Sequence, residues 1–319
     1  MPDDYGQPES GARAEWYSKL EELGISGGTF ERLGNKHSAL FLEDMPTLLV
    51  SFESAERVRD RADGLPLCRT LAEEAGWSQL SIMAEGPTWF RDPAIYEYFD
   101  RLTDDGFFDN FDKIVFFGEG MCGYAAAAFS VAAPGATVIA LSPQATLDPR
   151  TTGWDTRFSS HRRLTFTDRY AYAPDMLDAA EKAFVLYDPQ IWQDAAHAAL
   201  FTRTNVSKLR CRYLGDEIAR ELEKMGVLSE LIDAACEGFL DEKIFHRLFR
   251  ARRTNAQYLS NLLNALDQAE RKKLAAFLCV NVVERTHDPV FEKRLTELEH
   301  EFTSTGHPTP WAAMAASPS

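Results

Sequence analysis

The stretch KIVFFGEGMCGYAAAAFS, from Lys113 to Ser130, decides how the rest of the chain is read. Lys113 to Phe117 is β-branched and aromatic and is bounded by Asp112 and Gly118, which predicts a short buried strand. Gly118 opens a glycine-punctuated turn, and Tyr124 to Ser130 continues as an alanine-rich helix. A strand, a sharp turn and a small-residue helix in direct succession hold the residue at the turn's apex out toward a cleft. That residue is Gly120, which has no side chain.

Outward from this stretch, Thr47–Phe52, Leu80–Ala84, Thr137–Leu141, Lys182–Tyr187 and Lys208–Tyr213 predict further strands. Helical stretches lie between them, around 66–75 and 96–102, and another precedes them at 14–23, closed by the turn Gly24 to Gly28. Several strands are apolar on both faces, the pattern of a mainly parallel sheet covered by helices. Ligands of such a sheet sit at the carboxyl ends of its strands. The turns after Phe52, Phe117, Leu141, Tyr187 and Tyr213 are therefore the ones that matter. Beyond Glu217 strand signals nearly vanish, and six helical stretches between 218 and 302 predict an all-helical extension. The expected organisation is a lead and helix over 1–44, an α/β domain over 45–230, a helical extension over 231–303 and a disordered tail over 304–319.

The formal net charge of −15 excludes a general nucleic-acid binder, which needs a basic face to replace phosphate counterions. No apolar run approaches the ~20 residues of a membrane span, and the start MPDDYGQPESG has neither the basic lead nor the apolar core of a secretory signal. The cytoplasm is the expected location. Five cysteines without a CxxC pair point to buried thiols rather than disulfides or zinc. No metal and no cofactor are expected.

Phe116 to Pro149, FFGEGMCGYAAAAFSVAAPGATVIALSPQATLDP, resembles a group of bacterial α/β-hydrolase-like proteins. Their nucleophile elbow reads G-x-S-M-G-G-Y, followed by an alanine-rich helix, P-G-A-x-V-I-A and S-P-Q. Met121, Gly123, Tyr124, Pro134 to Ala136 and Ser142 to Gln144 match; Gly120 stands for the serine and Cys122 for the first glycine of the pair. The resemblance implies a three-layer α/β-hydrolase-like fold. It further implies that the triad acid corresponds to Asp194, after Tyr187-Asp188-Pro189, and that Asp216, after Gly215, stands where the histidine would be. Acyl transfer needs an attacking atom and a base. Glycine supplies no attacking atom, and a carboxylate is a poor base at neutral pH.

Three readings follow. In the first, the chain is a hydrolase fold without hydrolase chemistry, binding a small ligand or a protein partner. Phe52, Glu53, Glu119, Gly120, Met121 and Asp188 then line the site, and Glu119, Asp194 and Asp216 gather at its mouth. The plainer account of those carboxylates is loop charge on an acidic protein. In the second, an active hydrolase or acyltransferase uses Cys122, whose plainer role is a small packed thiol. In the third, the chain is a scaffold. Its helical part then binds another protein and its pocket is filled. The basic segment RLFRARR, read as a helix, puts Arg247, Arg250 and Arg253 or Arg252 near one side, docking an acidic partner or a phosphate-rich ligand or pairing with the chain's own carboxylates. His197 lies three residues after Asp194, where a solvated or capping pair is the simple reading.

Overall fold

The structure, a computed structural model, describes residues 11–304. Eight strands form one sheet in the order β1-β2-β4-β3-β5-β6-β7-β8. They are β1 Gly28–Leu33, β2 His37–Leu42, β3 Met45–Ser54, β4 Trp77–Ala84, β5 Lys113–Glu119, β6 Thr137–Leu141, β7 Lys182–Tyr187 and β8 Val206–Arg210. β1 and β2 form an antiparallel hairpin and β2 runs antiparallel to β4, while every neighbouring pair from β4 to β8 is parallel. This is the strand order and direction of an α/β-hydrolase sheet, as the resemblance implied.

Helices cover both faces. In chain order they are α1 Gly11–Gly27, α2 Ala55–Arg59, α3 Arg69–Ala75, α4 Pro93–Asp104, α5 Met121–Phe129, α6 Pro149–Thr152, α7 Ala173–Met176, α8 Trp192–Leu200, α9 Ile218–Lys224, α10 Val227–Cys236 and α11 Glu242–Leu248. Alternation along the strands divides the two cores. Leu48, Val50 and Phe52 of β3 join Phe99 of α4 and Phe129 of α5 in the larger core, while Leu40 and Met83 join Trp16 and Leu20 of α1 and Val58 of α2 on the other side. The Phe52, Phe99 and Phe129 rings lie 4.7–6.0 Å apart, centre to centre. Such contacts stabilise by about 0.5–1.5 kcal/mol each beyond the area they bury.

The connection between β6 and β7 is pinned to the helix after the elbow. The Tyr124 hydroxyl donates to the Tyr170 carbonyl at 2.5 Å and accepts from Arg91 Nη1 at 3.1 Å. The Arg91 guanidinium also donates to the Thr165 carbonyl and pairs with Asp168. Arg91 is buried, and removing one partner of a buried charge costs far more than the pair contributes.

The sheet begins earlier than expected. Residues 24–28, read as a turn, end α1 and start β1, and the hairpin closes over Gly34 to Lys36 with Gly34 at φ +61°. β8 ends at Arg210, so Cys211 to Tyr213 belong to the following loop. The chain divides into two compact units, Met1–Ala251 and Arg252–Ser319. The first therefore extends past the boundary expected at 230 and takes in α10, which packs on β3 and β5. In the second, α12 Ala256–Gln268, α13 Lys272–Thr286 and α14 Pro289–Ser304 close on Leu259, Leu263, Ala276, Cys279, Phe291 and Leu298. Among the described residues no helix is long and apolar enough to cross a membrane. The expected tail beyond Ser304, and the lead before Gly11, lie outside the described residues.

Candidate functional site

β5 ends at Glu119 and α5 starts at Met121, leaving Gly120 alone at the apex with φ +60° and ψ −119°. An L-residue pays for that conformation, because its Cβ crowds the following carbonyl. The turn is this tight because β5 and α5 nearly touch. A Cβ on Gly118 would stand 2.5 Å from the Cys122 carbonyl carbon and 2.9 Å from the Gly123 nitrogen, and one on Gly123 would stand 2.9 Å from the Leu141 carbonyl oxygen. Close packing thus falls to Gly118 and Gly123 and leaves Cys122 free to differ. At Gly120 a Cβ would meet nothing within 4 Å.

That open space is a cavity of about 1090 Å³. Four aromatic side chains, Phe52, Trp89, Phe117 and Phe158, line it together with Leu67, Met121, Cys122 and Gln144. The Trp89 indole donates to Gln144 Oε1 at 3.2 Å, which fixes one wall. Seven carboxylates and three guanidiniums also face it. Each arginine is paired with a glutamate of the same wall: Arg57 with Glu119 at 2.9 Å, Arg61 with Glu223 at 3.3 Å and Arg220 with Glu217 at 2.8 Å. Glu53, Glu56, Asp60 and Asp216 have no ion-pair partner among the described residues, which leaves the lining acidic.

Two of the carboxylates flank the apex and are held by directed bonds. Glu119 accepts from Arg57 and from the Ala219 N–H at 2.8 Å, joining the end of β5 to the start of α9. Glu53, at the end of β3, accepts from the Leu67 N–H and the Ser51 hydroxyl, each at 2.9 Å. Burial pushes both carboxyls above their ordinary range, and their donors only partly offset it. Burial likewise pushes the Cys122 thiol well up, with Glu53 adding to it and Arg57 opposing. A reactive cysteine needs the opposite environment.

Of the residues singled out in the sequence, Phe52, Glu53, Glu119, Gly120, Met121, Cys122 and Asp216 share this cavity. Asp188 and Asp194 do not line it. Asp188 follows β7 directly and spends both oxygens on backbone, accepting from Gln190 N–H at 2.9 Å and Gly215 N–H at 2.8 Å. Asp194, on α8, is buried against Arg157 at 2.8 Å, so the expected gathering of Asp194 at the mouth does not occur. Burial raises its carboxyl despite Arg157.

His197 does not pair with Asp194 and is not solvated. Its Nδ1 accepts from the Ala145 N–H at 3.1 Å and its Nε2 lies 3.1 Å from Asp155, whose other partner is Arg157. Its side chain is fully buried, and that burial lowers its pKa to about 4. Among the described residues no histidine lines the cavity; His161 packs on Trp89 with ring centres 5.0 Å apart. The basic segment is not one α-helix. α11 stops at Leu248 and a 3₁₀ turn covers Phe249–Thr254, with Arg247 and Arg250 in the first unit and Arg253 in the second. Among the described residues, no group of three or more His, Cys, Asp or Glu side chains is placed to hold a metal ion.

Two groups of the wall residues that sequence reading did not single out come from turns at the carboxyl ends of strands. Glu56, Arg57, Asp60 and Arg61 follow β3, one of the carboxyl-end turns picked out in the sequence, where Ser54 caps α2 and begins a run of alternating charge. Gly86, Pro87 and Trp89 follow β4, a turn given no weight in the sequence.

A nucleophile restored alone should do little. Gly120→Ser fits the space, but among the described residues no histidine lines it to act as base, and loss of triad members costs on the order of 10⁶ in rate. The variant is expected to hydrolyse p-nitrophenyl acetate at the parent's background rate. A gain of about 100-fold or more, the scale on which a positioned base acts, would show that a working base faces position 120.

No protein-family model matches the sequence, and no curated protein does. Solved structures do align with it. Est1E from Butyrivibrio proteoclasticus is 17% identical over 64% of this chain and 96% of its own, with a TM-score of 0.41. Carboxyl esterase 2 from the mycorrhizal fungus Tuber melanosporum is 15% identical over 70% and 83%, at 0.42. A chain of the Glycosylation Associate Protein (Gap123) complex from Streptococcus agalactiae is 12% identical over 66% and 47%, at 0.43.

Proposed function

We propose that the chain is a non-catalytic protein of α/β-hydrolase fold that binds a small ligand in the cavity over Gly120. The observation that carries this reading is the glycine itself. The elbow keeps its tight turn and its open space while its apex has no side chain. A cavity of about 1090 Å³ at the carboxyl ends of the strands is of the size that takes small molecules. The first-turn N–H groups of α5 have no carbonyl one turn earlier to bond, as at any helix start, and Met121 and Cys122 of that turn line the space. Donors for a ligand oxygen therefore persist where the attacking group does not. Use of Cys122 as nucleophile is disfavoured by its burial and its raised pKa.

The test is a thermal-shift screen of small molecules against the parent protein and Met121→Trp, whose larger side chain intrudes on the space beside Gly120. A ligand present at 100 times its Kd is expected to raise the parent's Tm by roughly 5–10 °C, to shift Met121→Trp by clearly less and to be recovered unchanged. A ligand turned over by the parent, or one that stabilises both proteins equally, overturns the reading.

A further inference from the structure

The acidic lining of the cavity and its aromatic walls together select a charge type, and this inference rests on the cavity being the binding site. We propose that its ligand is an organic cation, a small molecule carrying a substituted ammonium group. The three wall arginines are already spent on Glu119, Glu223 and Glu217. An anion would therefore meet no free guanidinium, but four carboxylates without cationic partners, at Glu53, Glu56, Asp60 and Asp216. A neutral molecule would bury apolar surface against Trp89 and Phe158 and leave that negative field unused. A cation uses both: its methyl or methylene groups pack on Phe158, the one of the four wall aromatics that is partly exposed, and its charge is attracted by the carboxylates. The wall bearing Trp89 is held by its bond to Gln144, so the aromatic surface exists before a ligand arrives.

Three compounds of nearly one shape separate the charge types: choline, its neutral isostere 3,3-dimethylbutan-1-ol, and the anion 3,3-dimethylbutanoate. Calorimetric titration of the full chain is expected to give choline an affinity at least about tenfold above the alcohol's, with no binding of the anion. Asp60→Asn/Asp216→Asn removes two exposed carboxylates that make no fold-bearing bond. It should weaken choline by roughly tenfold and leave the alcohol unchanged, with the parent's circular dichroism spectrum retained. The proposal is overturned if the alcohol or the anion binds as tightly as choline, if the double variant binds choline as the parent does, or if Met121→Trp binds it as tightly as the parent. In the first case, weakening of that binding by Met121→Trp leaves the cavity standing as the site and only the charge class wrong. Binding of none of the three overturns the proposal too, and the wider ligand screen then decides the cavity reading separately.

Discussion

Gly118→Val is expected to lower stability by about 4 kcal/mol or more, a fall in Tm near 10 °C, or to prevent folding altogether. The cause is backbone meeting backbone. The atoms a side chain at 118 would strike are the carbonyl of Cys122 and the nitrogen of Gly123, which belong to the first turn of α5 and move only if the helix lifts off the sheet. Because α5 carries Tyr124 to Phe129 into the larger core, lifting it opens that core. Gly120→Ala is the control. It adds a Cβ at a neighbouring glycine, yet meets no atom within 4 Å and pays only for its backbone conformation, φ +60° and ψ −119°, about 1–3 kcal/mol. Urea unfolding of both variants compares the two costs; equal losses would mean that α5 does not press on β5 as described.

Acid should destabilise the protein before its carboxylates are fully protonated. His37 and His197 are buried, and burial lowers each pKa from 6.5 to about 4. Between those values the unfolded chain takes up a proton at each site that the folded chain refuses. The unfolded state thus binds more protons, and stability falls as pH drops from 6.5 toward 4. The shift corresponds to about 3 kcal/mol per histidine at the low end. Glu53 and Glu119 act in the opposite sense, since their raised pKa values let the folded form bind protons first. Asp155 acts with the histidines: burial pushes it up, but its bonds from Arg157 and His197 outweigh that and hold it low. Unfolding free energies at pH 7, 6, 5 and 4.5 should fall steadily, and His197→Gln should remove one histidine's share of the slope. A flat profile, or a slope untouched by that substitution, contradicts the assignment of His197 as a neutral buried group.

What the sequence disclosed and what it withheld follow from one difference. β6 and β7 are short, apolar and bounded by turns, and they stand where their pattern puts them, at Thr137–Leu141 and Lys182–Tyr187. The elbow was legible for the same reason, since Gly118 is required by contacts within a few residues of chain. β1 was missed because GTFERL is a half-polar edge strand, although Gly34-Asn35 between two runs is a hairpin signal that was available. The polar network around Asp194 was illegible on other grounds. Arg157, its partner, and Asp155, which Arg157 also holds, come from the connection between β6 and β7, and nothing local to Asp194 announces them. The cavity was half legible: its apex and three of its carboxylates, Glu53, Glu119 and Asp216, were named from the sequence, whereas Trp89 reaches it from a turn whose role only the sheet order reveals.

The outer rim of the sheet at β8 has a consequence for concentrated solutions. Lys208 and Arg210 stand exposed on either side of buried Leu209. A second copy laying its own β8 alongside, antiparallel about that leucine, would set lysine against arginine twice, and like charges directly opposed weaken a ladder. Crowding the protein therefore does not favour growth of ribbons from this margin.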